Sequence, residues 1–126
     1  MDWMRTIQVE SPPSHFGRIV ERTIDSWESG IDTMLRDAPH IIVTHANGKR
    51  GDCTIALAYL ELAAPSLGLG ACWAGWFDAA AGAWEPLQEY LELPDGHVCC
   101  GAMMIGYAKY EYPRIPLRNK ARISWR

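Results

Sequence analysis

The chain has 126 residues and a formal charge of −3, with 48% apolar and 21% charged residues. That is the mix of an ordinary soluble globular protein, and the length suits a single domain over residues 1–126. No run of 18 apolar residues occurs, so no transmembrane helix is expected, and MDWMRTIQVE lacks the basic-then-apolar pattern of a secretory leader. The expected location is the cytoplasm, away from membranes.

In chain order, residues 3–9 form a short apolar piece that reads as the end of a helix, broken by SPPS at 11–14. From His15 the apolar residues Phe16, Ile19, Val20, Ile24, Trp27, Ile31, Met34 and Leu35 recur at steps of three and four. That spacing predicts an amphipathic helix, capped by Ser14 and closed by Asp37-Ala38-Pro39. HIIVTHA, 40–46, is a strand by its β-branched run. After a loop, Asp52 caps a helix to about Ser66 that is apolar on nearly every side. A small domain has little room to bury such a helix, so a second copy of the chain is expected to cover it. GLGACWAGWF, 68–77, reads as a glycine-ended helix running into a core strand, followed by a turn of small residues at 79–82. A short helix is expected over 84–93 and a second apolar strand over 97–107. The tail is extended, with an edge strand at 123–125. This order of elements points to a helix-packed sheet of the α/β or α+β class.

Several chemistries find no support. Gly68, Gly70 and Gly75 do not give the G-x-G-x-x-G spacing, and they follow a helix rather than a strand. No phosphate-binding P-loop and no G-x-S-x-G is present. Cys53, Cys72, Cys99 and Cys100 form no C-x-x-C pair, and the four histidines have no ligand spacing, so no metal site is expected. Cys72 lies between Ala71 and Trp73, with no basic neighbour to activate it. Six tryptophans suit either a core or a pocket that stacks planar ligands. From Lys109 onward, six basic residues face Glu111 alone, giving +5 against −8 for the rest. The acidic body argues against nucleic acid as the partner of that tail. A glycine at 75 between Ala74 and bulky aromatics suggests close approach of a ligand, with the Ala74 and Gly75 N–H groups left open to a flat ring.

Taken together, DCTIALAYLELAAPSLGLGACWAGWF, DWMR, LPDGHVCCGAMMIGYAKY and GYAKYEYPRIPLRNKARISW resemble the nitroreductase family of flavoproteins. The likeness is collinear and falls nearest the branch often fused to a ferredoxin-like module. It implies an α+β, nitroreductase-like sheet with packed helices that is homodimeric and binds FMN at the dimer interface. It also implies electron transfer from NAD(P)H through flavin to nitroaromatics, quinones or similar small planar acceptors. By position, Trp73, Ala74 and Gly75 would lie beside the flavin ring. Arg114 would match the arginine that pairs with the phosphate, with Tyr112 and Arg118 near it. A forked guanidinium suits a phosphate monoester.

The same resemblance marks a departure. The family's N-terminal Arg/Ser-rich segment, which grips the flavin phosphate and ribityl chain, has no counterpart here, so an N-terminally truncated domain is expected. Two further readings follow from it. One is a flavin-free fragment serving as a dimerisation or interaction module, and the other is a nucleotide- or phosphate-binding protein that uses the basic tail without redox chemistry.

Overall fold

A computed structural model describes residues 1–10, 15–48, 50–111, 113, 114 and 117–126, without the side chains of 8–10, 15 and 16. The expected break at 11–14, the Ser14 cap, the side chain of Phe16, Pro116 and Tyr112 lie outside the described residues. The elements are α1 (Asp2–Glu10), α2 (His15–Glu28), β1 (His40–Ala46), α3 (Arg50–Ala63), β2 (Gly70–Trp73), α4 (Gly75–Ala83), α5 (Glu85–Leu91) and β3 (Val98–Gly106).

The three strands form one antiparallel sheet in the order β1-β3-β2. β3 is central because its run of apolar and small residues is the one that can be covered on both faces. Cys99 to Met104 are all buried. α3 lies on one face, where Leu57 packs against Gly101. On the other face Ala102 and Met104 pack with Ala74, Ile41, Val43 and Phe77. A second core joins α1 to α2 through Met4, Val20 and Ile24, and Trp76 packs against it. Trp76 and Phe77, adjacent at the start of α4, therefore each enter a different core.

The sheet is not regular throughout. Thr44 pairs with Gly101 but His45 pairs with Cys99, so Cys100 is the extra residue of a bulge. Gly101 there has φ +149, and the Thr44 hydroxyl donates to its carbonyl at 3.1 Å.

Five expectations are corrected. Asp52 does not cap α3, which already begins at Arg50 and holds Asp52 inside its first turn. The helix from His15 stops at Glu28 rather than running to Leu35. Gly30 turns left-handed at φ +80, and the Asp32 carboxylate captures the Met34 and Leu35 N–H groups at 2.9 Å, which diverts the chain from the helical path. The strand in GLGACWAGWF ends at Trp73, and Gly75 opens a helix instead. That helix includes the small residues 79–82, with Ala80 and Ala81 buried, so no turn forms there. The segment 123–125 is exposed and pairs with no strand among the described residues. By contrast, Gly68 sits at φ +72 with its N–H bonded back to Ala64 and Pro65, the left-handed cap expected of it.

Gly101 has no room for a larger residue. A Cβ there would come within 2.8 Å of Leu57 Cδ1, in a backbone conformation that side chains rarely adopt. Gly101→Ala is expected to destabilise the protein by about 1–3 kcal/mol, read as a lowered urea midpoint with an unchanged slope. An unchanged midpoint would show that the Leu57–Gly101 packing does not hold α3 to the sheet.

Candidate functional site

The junction of β2 and α4 brings together the first three expected ring residues. Trp73 ends β2, opposite Met103, and is 40% exposed. Its indole N–H donates to Glu61 Oε2 at 2.9 Å, which ties β2 to the exposed side of α3. Ala74 is buried, and its N–H donates to the Ala102 carbonyl at 2.9 Å. This corrects the expectation that the Ala74 N–H is open, since it makes the last bond of the sheet. The Ala74 carbonyl then accepts the Asp78 N–H at 3.0 Å, the first bond of α4. Gly75 is left as the first helical residue, exposed, with no heavy atom within 4 Å of where a Cβ would stand. No side chain caps the helix there. The junction thus presents a helix N-terminus at a position without a side chain, where a flat group can reach the backbone.

The basic residues expected near the phosphate are not gathered at this junction. Arg114 and Arg118 are exposed in the extended tail, and neither makes an ion pair among the described residues. The tail leaves the sheet beside Gly70, where Ala108 Cβ stands 3.3 Å from the position a Cβ would take, at the opposite end of β2 from Gly75.

A polar cluster lies at the other end of β3. His45 and His97 approach through their Nδ1 atoms at 2.9 Å, one donating and one accepting. The Cys99 thiol donates to Asp78, which Arg50 meets at 3.4 Å. Burial pushes the Cys99 thiol above its ordinary range, and Asp78 raises it further, so this sulfur is a protonated donor rather than a nucleophile. Burial likewise raises Cys53, with Cys100 beside it. No group of three or more His, Cys, Asp or Glu with metal-binding geometry occurs among the described residues.

Sequence reasoning did not assemble a cavity of about 260 Å³ between α1, the 29–38 turn, α4 and α5. Its walls include Trp3, Trp27, Trp76 and Trp84, and among the described residues Asp32 is the one charged side chain, with Met1 also lining the space. The tryptophan count was a signal of it, but those four indoles are far apart in sequence and converge only in the fold.

An antiparallel three-stranded sheet with α3 on one face and a glycine-opened helix after β2 defines an α+β protein with bare backbone at a strand–helix junction. The sequence profile of the Nitroreductase family matches residues 4–107, and the chain belongs to that family. The fold is similar to that of a nitroreductase with bound FMN from Bacteroides fragilis, with a TM-score of 0.70 at 20% identity over 96% of this chain. It is also similar to a protein from Parabacteroides distasonis assigned as an NADH dehydrogenase/NAD(P)H nitroreductase, with a TM-score of 0.51 at 25% identity over 78% of this chain. The chain spans 65% and 62% of the lengths of those two proteins. No curated protein sequence matches it significantly.

The open space at Gly75 carries its own prediction. Its φ is not left-handed and nothing would meet an added methyl, so Gly75→Ala is expected to leave stability unchanged or raise it by up to about 1 kcal/mol. A clear loss in a thermal melt would mean that the junction is tighter than its geometry indicates.

Proposed function

We propose that the chain is an FMN-dependent oxidoreductase acting as a homodimer. It would take electrons from NAD(P)H and pass them to nitroaromatics, quinones or similar small planar acceptors. The observation that carries this reading is the β2–α4 junction, where Gly75 leaves the backbone bare beside the half-exposed ring of Trp73. Membership of the nitroreductase family supports it.

The residues present fit FMN. A flat ring needs backbone without side chains in the way, which Gly75 offers, and the bond from Ala74 to Ala102 holds that backbone rigidly in place. A phosphate needs forked cations, and Arg114 and Arg118 are exposed and outside any described ion pair. Tyr112 is the third proposed residue on the phosphate side. When bound, FMN supplies the two-electron chemistry that no side chain of this protein provides. In this reading the Gly75 N–H would donate to a ring edge, Trp73 would wall one side of it, and the arginines of the exposed tail would reach the phosphate.

The second copy is supported by α3. Ile55, Tyr59 and Leu62 recur at steps of four and three on its outer side and are exposed, and Leu67 and Trp73 extend the apolar surface. Only Cys53 and Leu57 of this helix are buried within the chain. The sequence asked for a covering wall on α3, and a second α3 related by a two-fold axis supplies one of matching character.

Two outcomes are expected. The purified chain loaded with FMN and freed of excess should keep a flavin absorbance, and Arg114→Ala should weaken retention by about tenfold to a hundredfold, the loss of one charged hydrogen bond. A colourless protein would sink the flavin reading and leave the interaction module. In sedimentation the chain should run as a dimer and Leu62→Glu as a folded monomer. A monomeric parent chain would refute the role given to α3.

A further inference from the structure

The cavity between α1, the 29–38 turn, α4 and α5 is unrelated to the residues assigned to flavin, since none of Trp73, Ala74, Gly75, Arg114 or Arg118 lines it. Its composition is specific. Four indoles, from Trp3, Trp27, Trp76 and Trp84, come from four separate elements, α1, α2, α4 and the α4–α5 connection. Phe77 adds a fifth aromatic ring. One carboxylate, Asp32, stands among them, half-buried.

The two oxygens of Asp32 are not equivalent. Oδ1 accepts the Met34 and Leu35 N–H groups, each at 2.9 Å, and fixes the turn that forms this wall. Oδ2 has only the Asp37 N–H, at 3.4 Å, and no cation pairs with it among the described residues. A neutral apolar guest would leave that negative charge against an apolar wall, partly stripped of water, which is unfavourable. A cation turns the same charge into an attraction. Indole faces, the strongest of the aromatic side chains in this respect, attract it as well. The chain from Met1 to Ala108 carries a net −8, which raises the local concentration of cations.

We propose that this cavity binds a small organic cation of the methylated ammonium class, held by the indoles around its methyl groups and by Asp32 Oδ2 against its charge. The volume of about 260 Å³ suits a head group of this kind with a short substituent. The site stands apart from the redox reading and does not need bound flavin.

The probes are choline and its uncharged isostere 3,3-dimethyl-1-butanol, titrated into the full chain while tryptophan fluorescence is followed, with and without FMN. Choline should give a saturable change in both forms and bind about tenfold or more tightly than the neutral isostere. Asp32→Asn keeps an oxygen for the Met34 and Leu35 N–H groups, so the turn should survive. It should lower choline affinity by about tenfold and leave the isostere unaffected. Trp27→Leu, at a half-exposed position, should weaken choline as well while leaving the circular dichroism spectrum unchanged. Equal binding of the two probes, no saturable response to choline, or an Asp32→Asn variant that is folded by circular dichroism and binds choline normally would each overturn the proposal.

Discussion

The peptide at Ala74 joins two kinds of structure. Its N–H closes the ladder between β2 and β3, and its carbonyl opens the ladder of α4. With both bonds made, the φ and ψ of Ala74 are fixed, so the start of α4 is set relative to the edge of the sheet. The next two side chains are committed in turn. Trp76 enters the core of α1 and α2, and Phe77 enters the core on the sheet. Gly75 itself stays exposed, with nothing packed where a Cβ would stand. A bare stretch of rigid backbone beside an indole is the consequence, and it is the feature on which the redox reading rests.

Much of this was legible in the sequence, for identifiable reasons. β3 announces itself because a strand covered on both faces must be apolar throughout. The left-handed turn at Gly68 follows from a glycine placed after an apolar helix. The uncovered face of α3 follows from its composition, which no small sheet could bury on every side. The start of α4 was hidden because Ala74 gives no capping side chain, and a backbone bond to β3 replaces the usual signal. The end of α2 was hidden because Ile31, Met34 and Leu35 continue the helical spacing beyond Glu28, while the carboxylate of Asp32 competes for the N–H groups that would have extended it. The aromatic cavity could not be read because its walls come from separate elements that tertiary packing alone brings together.

Resemblance and geometry carry different parts of the functional argument. The family profile speaks for the class of chemistry, and the solved relatives for the fold. The bonds at Ala74, the space at Gly75 and the tie from Trp73 to Glu61 speak for where it would occur. That tie also runs between the junction and the uncovered side of α3, so a second copy docked there, as proposed, would press on the same hydrogen bond that sets the Trp73 ring.

The strand order has a consequence for how the molecule is made. β1 and β2 do not touch each other, and each pairs only with β3, the last of the three to be synthesised. A nascent chain carrying β1, α3 and β2 therefore has two strand edges and no sheet. The contacts of α1 with α2 are local in sequence and can form early, but every strand pairing must wait for β3. Folding of the sheet is consequently late, built on long-range closure, and sensitive to anything that delays or diverts that final strand.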